Sequence, residues 1–349
     1  MTIFTAKIEK FNTFITMLRY TLFVLLLSLF SLVPFHLLAQ DIEYGLQYHG
    51  IGDNREYFSE YNTPETILGS RIHFDVGTRI DTVHRFRAGL SYFYEYGAAL
   101  LDLKPQPILY YAFNGKEWGF KMGAFMRKGN VDYPHALVSE RYEYYNPTVD
   151  GLLVSYHAGN VNMNVFTDWV SRQDSVRHEQ FMAGFTGRQT PGNFIFEEYW
   201  YMFHDAGRMG NYQGEYIKDY TGALVMAGYD FSSLTPLTIL TVKTGVLSSA
   251  FRDRENGSSF DLKSSSYSEI VADYKGFGVE AFLKYGSEHD FSHGDKFYNT
   301  TKNYTRVKLY VTPFNFERVK GRFSWSFHFA NDVLDQQQQF SLIYTFKEL

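Results

Sequence analysis

The sequence predicts an all-β chain that closes into an antiparallel barrel of about sixteen strands spanning a membrane. Three observations point there. From residue 41 onward apolar side chains recur at every second position in run after run, a period that an extended strand sorts into two opposite faces and a helix does not. Many of the cleaner runs are about 9–13 residues long, enough for a tilted strand to cross a bilayer and longer than the strands of a soluble sandwich. Aromatics reach 19% of the 349 residues, with 28 Tyr, 33 Phe and 4 Trp, and they gather near the ends of the runs, where ring and hydroxyl suit a membrane–water boundary.

The chain begins with an address. Lys7, Lys10 and Arg19 precede the apolar stretch 20–38, and Ala39 follows it. Basic region, apolar stretch and small residue predict a cleaved secretory signal over 1–40, with Met17 an alternative start and a transmembrane anchor the competing reading. No later apolar run approaches the length of a spanning helix, so further membrane association falls to strands.

The runs follow in order at 42–49, 71–80, 84–96, 106–113, 117–127, 151–158, 160–170, 178–187, 193–204, 216–229, 237–247, 266–275, 277–285, 304–312, 322–330 and 339–347, with 139–145 as a marginal further strand. In 84–96, His84, Phe86, Ala88, Leu90, Tyr92, Tyr94 and Tyr96 oppose Arg85, Arg87, Gly89, Ser91, Phe93 and Glu95. Asn114-Gly115, Gly159-Asn160, Pro191-Gly192-Asn193 and Lys275-Gly276 are hairpin turns. The stretches 50–65, 128–138, 205–215, 249–264 and 286–303 read as long polar loops, and Gln336–Gln339 as a solvated turn or the beginning of a strand. Roughly 309 mature residues, at about 19 per strand with its connection, make ~16 strands, with 14 and 18 as neighbours. No composition shift divides 41–349, which reads as one barrel.

Alternation alone fits two polarity schemes, a sandwich with its apolar face inward or a barrel with its apolar face toward lipid. The signal peptide, the aromatic-rich alternating strands and the aromatic last strand together resemble a bacterial outer-membrane β-barrel protein of the porin-like kind, over essentially all of 41–349. That resemblance implies export through the periplasm and a final strand whose aromatic end is read by the outer-membrane assembly machinery. Here Phe346 is followed by Lys347, Glu348 and Leu349. It also implies outer-membrane lipid and small hydrophilic solutes as partners, and allows a homo-oligomer.

The acidic balance, 38 Asp and Glu against 33 Lys and Arg, argues against nucleic acid as a partner. The absence of Cys excludes disulfides, thiolate metal sites and thiol nucleophiles. Glycine-rich phosphate loops are missing, and no cofactor is expected. Several polar groups invite a chemical reading. Glu197 and Glu198 are adjacent, so a strand sends them to opposite faces and they cannot share a proton. His289 and His293, with Glu288, Asp290 and Asp295, sit in a loop without the helix that would align a metal pair, so no metal site is expected. Asp168, Asp174, His178 and His204-Asp205 are candidates for acid–base work at a barrel rim. Ser292-His293-Gly294 does not reproduce the Ser/His pattern of an outer-membrane phospholipase, because no companion motif accompanies it. In a barrel, Arg71, Asp75, Arg79, Arg85, Arg87, Lys121, Asp168, Glu280 and Lys284 line the pore, where charge either selects solutes or braces the wall. The leading expectation is therefore a passive channel for small hydrophilic solutes and not an enzyme. The alternatives are a barrel enzyme with a rim active site, near Asp168, His178 and His204, and a secreted soluble β-protein that binds or acts on glycans.

Overall fold

A computed structural model describes residues 41–210, 216–255 and 259–346. The expected signal peptide lies outside the described residues. Sixteen antiparallel strands form a closed barrel in which each strand pairs with its sequence neighbours and the first pairs with the last. They are β1 (Asp41–Glu56), β2 (Glu65–Ile80), β3 (His84–Glu95), β4 (Gln106–Asn114), β5 (Trp118–Met126), β6 (Thr148–Ala158), β7 (Val161–Ser171), β8 (Gln180–Gln189), β9 (Phe194–Asp205), β10 (Lys218–Asp230), β11 (Ile239–Asp253), β12 (Asp261–Tyr274), β13 (Phe277–Gly286), β14 (Asn303–Asn315), β15 (Val319–Ala330) and β16 (Val333–Thr345). The closing pair runs from Gln47 opposite Thr345 to Glu56 opposite Gln336.

Burial decides between the two polarity schemes. Large apolar side chains such as Phe74, Leu109, Met122, Val165, Val225, Val246 and Phe323 lie exposed on the outer face, while Arg87, Asp168, Glu197, Lys284 and Arg306 are each 3% exposed on the inner face. A soluble sheet does the reverse; apolar outside and charged inside is the distribution a lipid-facing barrel requires. Outward aromatics form two belts. Trp118, Phe194, Tyr229, Tyr274 and Phe277 stand at the end with the tight turns, and Trp169, Tyr285 and Phe329 stand near the other, as the two membrane interfaces demand.

Apart from the two-residue turn between β15 and β16, the tight turns share one end with both barrel termini, which in this architecture faces the periplasm, and most of the long loops share the opposite, exterior end. At the β12–β13 hairpin Lys275 (φ 52°) and Gly276 (φ 89°) are both left-handed, the backbone that a two-residue turn between right-twisted strands needs.

Three sequence expectations are corrected. The marginal strand 139–145 is instead a short helix, α1 (Glu140–Tyr145), because Ser139 caps it by accepting from Tyr142 N at 3.3 Å. Of the two readings of Gln336–Gln339 the strand holds and the solvated turn does not: they lie within β16, with Gln337 and Gln339 facing inward and buried. Half of the stretch 50–65 and most of 249–264 are strand, since β1, β2, β11 and β12 run on past their cleanly alternating cores. A second short helix, α2 (Lys296–Thr300), is capped by Asp295.

Candidate functional site

Sixteen strands spaced about 4.8 Å apart and tilted about 40° enclose a lumen roughly 30 Å across, too wide for wall side chains alone to fill. Two loops fill it. The β5–β6 connection, 127–147, carries α1 inward, and the β13–β14 connection, 287–302, carries α2 to meet it. They join through a parallel bridge between Val138 and His293, with Ser139 N donating to His293 O at 2.7 Å and Asp295 N to His135 O at 3.0 Å. Val131, Tyr133, Leu137, Val138, Phe291 and Phe297 of these loops pack with inward Phe125, Phe166, Phe203, Leu224 and Tyr267 into one buried cluster. The lumen of this protein thus contains a hydrophobic core. The expected polar wall is interrupted where the loops touch it.

Wall groups hold this plug from most sides. Arg71 of β2 donates to Tyr144 O, and Gln106 of β4 to Tyr145 O at 2.9 Å. Arg127 donates to Asn146 O and pairs with Asp168 of β7. Tyr133 O–H reaches Trp200 O of β9 at 2.7 Å, and Lys284 of β13 donates to Tyr298 O at 2.7 Å and to Thr301 O. His289 sits between Ser249 and Ser265, its ring nitrogens 3.0 and 2.9 Å from their hydroxyls. The carboxylate of Glu140 meets His135 at 3.2 Å, Arg306 at 3.5 Å and the amides of Gln337 and Gln339 at 3.3 and 2.6 Å. Burial lowers the imidazoles of the plug, His135 to about 4 and His289 and His293 to about 3, because a desolvated ring resists a proton. Burial likewise lifts Glu143 to about 7.

All nine charged residues expected to line a pore lie on the inner face, and they divide into two sets. Arg71, Asp168 and Lys284 hold the plug, and Lys121 donates to Asn130 Oδ1 of the same loop. The rest brace the wall: Glu43 gathers Arg79, Arg85 and Arg87 at 3.4, 3.5 and 3.2 Å, Asp75 takes Arg87 and His73, and Glu280 meets Arg322 at 3.5 Å. Cavities remain beside the plug. One of about 580 Å³ lies on the exterior side of the plug, between 62–65, 139–146 and 291–299. Another, of about 330 Å³, is lined by His135, Glu197, Lys243, Glu269, Glu280 and Arg306.

The other candidates separate cleanly. Glu197 faces inward, 2.8 Å from Lys243, and Glu198 faces out. Among the described residues no group of three or more His, Asp or Glu is placed to hold a metal ion. His204 and Asp205 are neighbours in sequence but point to opposite faces of β9. Inside the rim Asp205 takes His178 at 2.6 Å. Asp174 holds its own loop through Arg177 at 2.7 Å. Outside, His204 Nδ1 lies 2.7 Å from Asp219 of β10, directly across the pair. Asp219 also receives Arg252 of β11, through Nε at 2.8 Å, and Arg254 at 3.1 Å. Phe181 packs on the His204 ring at 5.1 Å and stacks on Trp169. Sequence inspection flagged His204 and missed Asp219, Arg252 and Arg254, whose signal is cross-strand register and not spacing.

This outward cluster stands at the exterior end of the wall, beside the outward rings of Trp169 and Phe181. The family of lipid A 3'-O-deacylase-type proteins matches residues 37–348. The chain belongs to that family. No curated protein matches the sequence. Among solved structures, this lipid A 3'-O-deacylase-type chain is similar to OmpT, an outer membrane protein of Vibrio cholerae in a trimer form, with TM-score 0.56 and 12% identity over 88% of this chain and 100% of that one. It is also similar to the anion-selective porin from Comamonas acidovorans, with TM-score 0.54 and 9% identity over 88% and 100%. At those identities the likeness is one of fold: this family member is a porin-like outer-membrane β-barrel of a bacterium.

Proposed function

We propose that the protein is an outer-membrane enzyme that hydrolyses an ester-linked acyl chain of an acylated, phosphorylated glycolipid of the outer leaflet, at the outward rim of β8–β11. The observation that carries this reading is the His204–Asp219 pair on the lipid-facing wall, beside Arg252 and Arg254. A carboxylate on Nδ1 fixes the imidazole with Nε2 directed away, the arrangement of a general base. In the proposed reaction Nε2 takes a proton from water as its oxygen bonds to the ester carbonyl carbon. The carbon–oxygen bond to the sugar then breaks, and the sugar oxygen recovers that proton. A free fatty acid and a sugar hydroxyl result. Arg252 and Arg254 place positive charge where an anionic headgroup, or the developing oxyanion, would lie. The family match supports the substrate class, and the occupied lumen supports chemistry on the outer wall. Export through the periplasm and insertion by the assembly machinery belong to the same reading.

A second reading is a channel that conducts when its plug moves, and the cavities beside the plug together with the porin-like fold favour it. One comparison separates the two. Lipid A from cells expressing the wild type is compared by mass spectrometry with that from cells expressing His204→Gln, and the purified wild type is placed in planar bilayers. Loss of one acyl chain from lipid A in the wild type alone supports the enzyme. Identical lipid A together with stepwise conductance supports the channel and overturns the enzyme.

A further inference from the structure

The cavity of about 580 Å³ on the exterior side of the plug takes no part in the rim chemistry. We propose that it is a binding site for a neutral, hydroxyl-rich ligand of one or two sugar rings.

Its volume lies within the roughly 300–1,000 Å³ of small-ligand pockets. Its walls come from three connections, and these are pinned to one another. Asn62 Nδ2 donates to Asp295 Oδ1 at 3.0 Å, Thr300 Oγ1 to Tyr61 O at 2.9 Å, and Ser139 N to His293 O at 2.7 Å. A pocket already shaped in this way loses little entropy on binding.

The wall chemistry selects the ligand class. Arg55, Arg141 and Lys296 face the cavity with Glu65, Glu140 and Asp295, three cations against three carboxylates. Each cation is already engaged within the protein: Arg141 meets Glu65 at 2.8 Å, Arg55 meets Asp53 at 2.8 Å and Glu65 at 3.7 Å, and Lys296 donates to the Thr63 hydroxyl at 2.7 Å. A charged ligand would meet as much repulsion as attraction. An apolar ligand would bury charged and amide groups without partners. A hydroxyl both donates and accepts, so vicinal hydroxyls satisfy carboxylate, guanidinium and amide together. Tyr142 and Tyr145 add ring faces on which the C–H side of a sugar can lie, and Tyr145 is held in place by Arg141 stacked 5.0 Å above it. Thr63, Pro64, Arg141 and Lys296 are exposed, so the cavity is bordered by solvent on the exterior side.

Such a ligand has two sources, a free oligosaccharide or the sugar headgroup of a membrane glycolipid. The full barrel is purified in a sugar-free amine-oxide detergent and titrated calorimetrically with maltose, cellobiose and chitobiose, then with dodecyl maltoside. Saturable binding of a free disaccharide supports a soluble ligand; binding of dodecyl maltoside alone supports a glycolipid headgroup. In either case Thr63→Trp, which fills the mouth, and Arg141→Ala, which releases Tyr145 and Glu65, should each weaken binding by more than about tenfold, with heat-modifiable gel mobility unchanged. Absence of binding by all four probes, or binding undiminished in both variants, overturns the proposal. The outcome is independent of the rim chemistry, since neither substitution touches β8–β11.

Discussion

Gln339 Nε2 donates to Glu140 Oε2 at 2.6 Å, so a side chain of the last strand holds the first helix of the lumenal plug. Gln337, Arg306 and Lys308 converge on the same carboxylate. Removing it would leave Arg306, whose side chain is 4% exposed, without its nearest acid. Breaking a buried pair by deleting one partner costs about 3–5 kcal/mol. Glu140→Ala should therefore loosen the plug without opening the wall. In planar bilayers it should raise conductance above the wild type, while the unboiled protein keeps its fast gel mobility. Unchanged conductance would show that the plug stays seated without this contact.

A smaller change tests the seam between the two inward loops. A Cβ on Gly294 would stand 2.3 Å from Ala136 O and 2.8 Å from Phe291 Cβ. Backbone cannot yield by that much without parting the loops. Gly294→Ala should make residues 128–138 and 287–302 accessible to added protease at concentrations that leave the wild type intact. An identical digestion pattern would place the seam's strength elsewhere.

The strands were legible because a period of two survives whatever surrounds it. Arg85 and Arg87 against Phe86 and Ala88 declare two faces in lipid or in water. The plug was harder to read because its signal was a set of exceptions. Phe125, Phe166, Phe203 and Phe282 sit on faces otherwise polar, and Ala136–Val138 is apolar within a nominally wet loop. Each exception is a point where plug meets wall. The rim site was half legible. His204 stood out, but its partner lies fifteen positions on, across a hairpin whose length sequence does not fix. The strand tip where Asp205 adjoins His204 invited the wrong pairing, and alternation of side chains across the sheet rules it out.

Plug seating should depend on pH. His135, His289 and His293 hold their protons far more weakly in place than when released, at about 4, 3 and 3 against an ordinary 6.5. A depressed imidazole contributes stability that is present above 6.5 and is lost as pH falls below it, since the released form then binds the proton the seated form refuses. Glu143, raised to about 7 from 4.5, acts in the opposite sense and favours seating as pH falls through that window. Asp295, raised by burial, acts with Glu143, while Glu140, held well below its usual range by His135 and Arg306 despite burial, acts with the histidines; four groups then oppose two. Protease access to the plug should rise as pH drops from 7 toward 4, and His293→Phe should flatten part of that slope. Seating that strengthens monotonically toward pH 4 would show that Glu143 dominates.

The rim pair gives the sharpest test of activity, because each member has a separable consequence. His204→Gln keeps the size of the side chain and removes the base, so deacylation of lipid A in detergent should fall by about 10²–10⁴-fold with little change in KM. Asp219→Asn keeps the ring contact with Phe181 but unpairs Arg252 and Arg254 and frees the imidazole to turn. Both kcat and KM should then move. Arg254→Ala removes the more exposed of the two guanidiniums, 43% against 23% for the side chains, and leaves the His204–Asp219 bond intact. It should raise KM for the phosphorylated lipid and leave kcat for a neutral acyl ester unchanged. If all three variants retain wild-type rates, the cluster is a structural clamp on the rim, and lipid chemistry must be sought on another face of the barrel.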